Sequence, residues 1–139
     1  IQNDMIDEFI SFVNKSNISL TSKIDVSIFE TNSFLLKNEH PTLIEYSAFL
    51  GSINIFKYLI LNKVQLTSYI WKYAIHGKNS EMIHIFEENK IGPLYGNYDN
   101  CYNDSIKFHH IELMNYFENN YDQKETKINL KYFNFVDSL

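Results

Sequence analysis

Arginine is absent from this chain, and every basic residue is a lysine. Twelve basic residues stand against seventeen carboxylates, for a net charge of −5. A nucleic-acid partner calls for clustered basic charge and the flat guanidinium fork, so none is expected. A single cysteine, Cys101, excludes an intrachain disulfide and suits a reducing compartment, which makes the protein cytoplasmic by expectation. No run approaches the roughly 18 apolar residues of a membrane span, and residues 1–7 carry neither a basic flank nor an apolar signal core. Membrane insertion is therefore not expected. Ile1 in place of methionine suggests a piece of something longer. Two prolines and four glycines are too few for strands joined by tight hairpins, which favours helices. Alanine is nearly missing too, at Ala48 and Ala74 alone, so the helices must be held by packing rather than by intrinsic propensity.

What the chain does have is apolar material. Of its 139 residues, 45% are hydrophobic and 16% aromatic, enough for one domain with a substantial core. In residues 4–15, Met5, Ile6, Phe9, Ile10, Phe12 and Val13 recur at steps of three and four, which predicts a helix with one broad apolar face. A second helix is predicted over residues 24–36, with Ile24, Ile28, Phe29 and Leu35 on its stripe.

Beyond residue 41 the chain aligns with itself. Residues 42–64 match residues 68–91, and these match residues 101–120, with Ala48 set against Ala74 and Ser105 and Gly51 against Gly77. The stretch Glu81, Met82, Ile83, His84, Ile85, Phe86, Glu87 falls on Glu112, Leu113, Met114, Asn115, Tyr116, Phe117, Glu118. Each copy reads as a short helix, a turn and a second short helix. The alanine permits close helix approach, the glycine three residues later permits a left-handed helix end, and Ser80 is placed to cap the second helix. A plain bundle of amphipathic helices is the competing fold, but the aligned small residues favour stacked repeats.

In this frame Thr42, Ile44, Ser47, Ala48, Gly51, Ile55, Phe56, Leu59 and Ile60 resemble the ankyrin repeat, without its opening proline or the histidine that follows. Residues 43–59, 73–91 and 105–120 are similar to successive repeats of a degenerate ankyrin-like family of unknown function expanded in trichomonad protists. The resemblance implies an all-α, ankyrin-like helical solenoid of three to four degenerate helix-turn-helix repeats. Residues 1–40 form an N-terminal helical cap segment and residues 41–139 the repeats, at about 42–66, 67–91 and 100–121, with a partial one at 124–139. Residues 130–139 resemble the opening of a further repeat.

No reactive constellation emerges from the residues. His40, His76, His84, His109 and His110 lack the spacing of metal ligands, and no HExxH or CxxC occurs. His109 and His110 fall at a turn, facing solvent or a neighbouring loop. Cys101 aligns with Ile44 and Ile70, a core position, and has no basic neighbour in sequence to activate it. The glycine-bearing stretch 92–97 lacks the lysine of a phosphate loop. Glu81, Glu87, Glu88, Glu112 and Glu118 repeat as the solvent face of second helices. No catalytic residue, metal or cofactor is therefore assigned.

The expected function is protein binding, by a monomer that is not an enzyme. The resemblance implies that a partner protein lies along the wall of first helices, at Phe49 and Leu50, Ile75 and His76, and Ile106 and Lys107, with Glu45, Trp71 and Tyr102 at the matching position near the start of each helix. Trp71 and Tyr102 carry most weight because aromatics dominate interface energetics. Trp71, His76 and Lys107 are expected at the surface, whereas Phe49, Ile75 and Ile106 are expected to pack against the next repeat. Two other readings stay open: a regulatory or scaffolding segment of a larger enzyme, and self-assembly through an apolar end at Phe133, Phe135 and Val136.

Overall fold

The structure, a computed structural model, describes residues 1–25, 32–37, 40–67, 69–93 and 96–121, with the side chain of Leu36 excepted. Among these residues there are eight helices and no strand; one isolated antiparallel bridge joins Lys23 to Thr42. The helices are α1 (Ile6–Ser16), α2 (Ser33–Lys37), α3 (Leu43–Leu50), α4 (Ile53–Leu61), α5 (Ile70–His76), α6 (Ser80–Glu88), α7 (Tyr98–Lys107) and α8 (Ile111–Asn120). No helix of the described residues is long and apolar enough to cross a membrane.

Three hairpins, α3–α4, α5–α6 and α7–α8, stack through their first helices, α3 against α5 and α5 against α7, while α1 packs on α4. One core runs through them, from Phe9 and Val13 through Ile44, Phe56 and Leu59 to Trp71, Phe86, Tyr102 and Phe117. The helix ends show how a glycine-poor chain makes its turns. Each first helix closes with the same backbone bond, from Ser52 N–H to Ser47 O at 2.9 Å, Asn79 to Ala74 at 3.0 Å and His110 to Ser105 at 2.7 Å. The left-handed residue inside each closure is Gly51, Lys78 or His109. Helices α1, α4 and α6 end the same way, around left-handed Asn17, Lys63 and Lys90. A left-handed residue just past the last turn lets two following N–H groups reach orphaned carbonyls, and lysine fills that role here at the cost of some backbone strain.

This closure fixes the repeat register. Ser47, Ala74 and Ser105 are equivalent, and so are Ile44, Trp71 and Tyr102. The sequence alignment, which set Ala48 against Ala74 and Ile44 against Ile70, is therefore one residue out between the first and second copies. Ser47 and Ser105 confirm the register chemically: each is fully buried and donates its hydroxyl to the carbonyl three residues back, at Ile44 O (2.7 Å) and Tyr102 O (2.6 Å).

Four further expectations need correction. The helix predicted over 24–36 is absent at its start: Ile24 N–H donates to Pro41 O at 2.7 Å, and α2 begins at Ser33, where Asn32 Oδ1 accepts from Phe34 N–H at 3.0 Å. Residues 26–31 lie outside the described set. Gly77 is right-handed (φ −79), so it is not a left-handed helix end. Ser80 lies inside α6 and does not cap it; its hydroxyl donates to Glu112 at 3.2 Å. Glu87 is not simply solvated, because its carboxylate accepts from the phenols of Tyr116 and Tyr121. The partial repeat at 124–139, with Phe133, Phe135 and Val136, lies outside the described residues.

Candidate functional site

The wall of first helices is where the sequence placed a binding surface, and burial divides its candidates. Trp71 (2% exposed), Tyr102 (1%) and Ile75 (0%) belong to the core. The surface expected for Trp71 fails because the register places it with Ile44, under the next repeat. Its indole packs on Phe86 and Phe117, meets Tyr98 edge-on, and donates Nε1–H to Ile91 O at 3.0 Å. Glu45, also buried, accepts from Thr42 N–H (2.9 Å) and from Thr67 Oγ1 (2.5 Å), which closes a capping box on α3 and ties it to the start of the second repeat. None of these four side chains is available to a partner.

Phe49, Leu50, His76 and Lys107 do reach the surface. Phe49, His76 and Lys107 occupy equivalent positions on the last turns of α3, α5 and α7, so the stacked hairpins bring them into one row. The centre of this row is His76. Its imidazole stacks on Phe34 at 3.9 Å between centroids, with planes 12° apart, and lies 4.1 Å from Phe108. Phe34 also meets Tyr73 edge-on at 5.0 Å and stacks on Phe49 at 6.3 Å. Lys72 and Lys107 flank the imidazole. Burial first, then these two ammonium groups, push the His76 pKa down to about 4. Burial raises the Asp104 carboxyl nearby, against the pull of the same two lysines. The patch is therefore an aromatic surface with a neutral imidazole at its centre and positive charge at its rim.

Sequence reasoning missed Phe34, Lys72 and Phe108. Phe34 sits in the leading segment, which carries no repeat signal. Phe108 could have been found, because it stands where the corrected register has Leu50 and Gly77, an aromatic at the open end of a helix.

Elsewhere, a cleft of about 440 Å³ lies between α6 and α8, lined by Glu87, Lys90, Tyr98, Tyr116 and Tyr121 among others. Its polar groups satisfy one another: Tyr121 donates to Glu87 at 2.5 Å, Tyr116 donates to the other carboxylate oxygen, and the Tyr121 ring stacks on Tyr98 at 3.9 Å. The phenol of Tyr116 is pushed up to about 12 by burial and by its bond to Glu87, and Tyr121 is raised further. Cys101 is buried and its thiol is likewise pushed up to about 12. Among the described residues no three His, Cys, Asp or Glu side chains converge on a point that could hold a metal ion. His110 takes the place of Ser52 and Asn79, but its buried Nε2 makes no hydrogen bond among the described residues. Asn79 at that position donates to Phe49 O at 2.5 Å and so joins two repeats.

Compared with protein-family models, with curated proteins and with solved structures, the chain matches none.

Proposed function

We propose that the chain is a non-enzymatic protein-interaction module, an ankyrin-like helical solenoid that holds a partner protein along its wall of first helices. The observation that carries this reading is the row of Phe49, His76 and Lys107 at equivalent positions on three stacked helices. Stacked repeats turn one such position into a continuous strip, and strips of this kind serve as extended binding surfaces. The half-buried phenylalanines Phe34, Phe49 and Phe108 supply the aromatic content that is enriched at interface centres, and the lysines supply a polar rim. The cap segment, represented by α1 on α4 and by α2 over the wall, belongs to the same unit. A monomer in a reducing compartment such as the cytoplasm fits a single, deeply buried thiol.

The test compares capture of proteins by the parent chain with capture by a Lys72→Glu, Lys107→Glu variant. Both lysines are exposed, so the fold should survive, as circular dichroism will check. Loss of a defined set of bound proteins from the variant supports the wall as the working surface. Identical sets on both chains would remove it.

A further inference from the structure

The wall proposed as the binding surface is already covered by the chain itself. Helix α2 has five residues, too few to be stable on its own propensity. The extensive helix pairings of the fold leave it out. Among the described residues, it is anchored by Leu35, 1% exposed, and by Phe34, whose ring sits in a socket made by Phe49, Tyr73 and His76.

Phe34 satisfies only half of that socket. Lys72 and Lys107 act on His76 strongly enough to help depress its pKa; Asp104 is the carboxylate they share, and their ammonium groups lie over the rings of Tyr69 and Phe108, but among the described residues neither reaches a carboxylate at ion-pair distance. The charge that α2 itself brings is Lys37, of the same sign. A ligand offering an aromatic ring to the socket and carboxylates to the rim would therefore make the ring contacts that Phe34 makes there and add charge pairs with the two lysines.

We infer that α2 is a displaceable strap, and that the partner engages the wall through a short segment carrying an aromatic residue flanked by carboxylates, which takes the place of Phe34. This rests on the wall being the binding surface. Closure of the strap lowers the apparent affinity of any such partner by the fraction of time the socket is filled. The Phe34–His76 stack is the latch.

The probe is a fluorescent synthetic peptide of residues 32–37 bearing Lys37→Glu, titrated by anisotropy into the full chain and into its Phe34→Ala variant, both checked by circular dichroism. The Phe34→Ala chain should bind about tenfold or more tightly than the parent, because its socket is empty. A peptide that also carries Phe34→Ala should not bind, and Lys72→Glu, Lys107→Glu in the chain should weaken binding by a similar factor. A Phe34→Leu chain, which keeps apolar volume and loses the stack, is the second variant should the alanine chain unfold, and should shift affinity in the same direction. Equal affinity for parent and variant, still lost with the lysines, overturns the strap while leaving the wall as a binding surface. No binding to a folded variant overturns the strap and counts against the wall as well.

Discussion

Gly77 faces the backbone of Phe49 so closely that a β-carbon at residue 77 would lie 1.9 Å from the Phe49 carbonyl oxygen. The glycine is there for approach between repeats, not for its φ, which is an ordinary −79. The neighbouring Asn79 exploits the same closeness, donating its amide to Phe49 O and Ala48 O. Gly77→Ala should force the first two hairpins apart and cost about 1 to 3 kcal/mol, read from urea midpoints. Asn79→Ala, which takes the side-chain donor from the Phe49 carbonyl at the repeat contact, should cost about 1 to 3 kcal/mol as well. A Gly77→Ala chain as stable as the parent would mean the repeats do not meet at this point.

The helical class, the α1 helix and the order of three hairpins were legible because apolar periodicity survives even where propensity is poor. The register was not. Glycine and alanine marked the first helix end correctly, since Gly51 is left-handed (φ 71), but the second copy hands the left-handed position to Lys78 and keeps its glycine for contact. Aligning glycine with glycine therefore slipped the frame by one residue. That slip is enough to move Trp71 and Tyr102 from the core to an imagined surface, because one step along a helix is a rotation of about 100°. The Phe34 strap had no sequence signal at all, as its contacts are set by tertiary packing across many residues.

The burial of Trp71 gives a test of the corrected register. Trp71→Ala should cost about 3 to 5 kcal/mol, since it removes a large ring from between Phe86 and Phe117. Trp71→Phe should cost less, about 1 to 3 kcal/mol, mainly by leaving the Ile91 carbonyl without its donor. An alanine variant within about 0.5 kcal/mol of the parent would return Trp71 to the surface.

Asp4 acts as a cap from a distant part of the chain. Its two carboxylate oxygens each accept at 2.9 Å from the backbone N–H groups of Asn54 and Ile55, in the first turn of α4, where the N-cap residue Ser52 makes no capping bond. Asp4→Ala should cost roughly 1 to 2 kcal/mol and Asp4→Asn less, since asparagine keeps an acceptor and tolerates the left-handed backbone of residue 4 (φ 50). Equilibrium unfolding of both variants is the measurement, and equal losses would assign the effect to the negative charge of the carboxylate, which both variants lack, rather than to backbone strain, which asparagine avoids.

Cys101 should be chemically silent in the folded chain. The thiolate is the reactive form, and burial, with the Asp104 carboxylate adding to it, pushes the thiol up to about 12. Labelling with an aromatic disulfide at pH 8 should proceed only along the unfolding transition in urea. Rapid stoichiometric labelling without denaturant would show an accessible thiol.

His76 makes stability and strap closure depend on pH in the same direction. Its pKa is about 4 in the folded chain against an ordinary 6.5, so above 6.5 the imidazole is neutral in both states and the full stability is present. As pH falls from 6.5 toward 4 the unfolded chain binds a proton that the folded chain resists, and stability drops, by well under the ~1.4 kcal/mol per unit of a fully buried group because solvent screens a half-exposed imidazole. Below about 4 both states are protonated and this contribution levels off. Urea midpoints measured between pH 7 and 5 should fall for the parent and stay flatter for His76→Phe, which keeps a ring in the stack but has nothing to protonate. Coincident pH profiles would mean the imidazole is freely solvated. Because an imidazolium set between Lys72 and Lys107 is disfavoured, the folded chain can relieve it most directly by opening the stack on Phe34. Mild acid should then raise exchange of the α2 amides before it melts the hairpins.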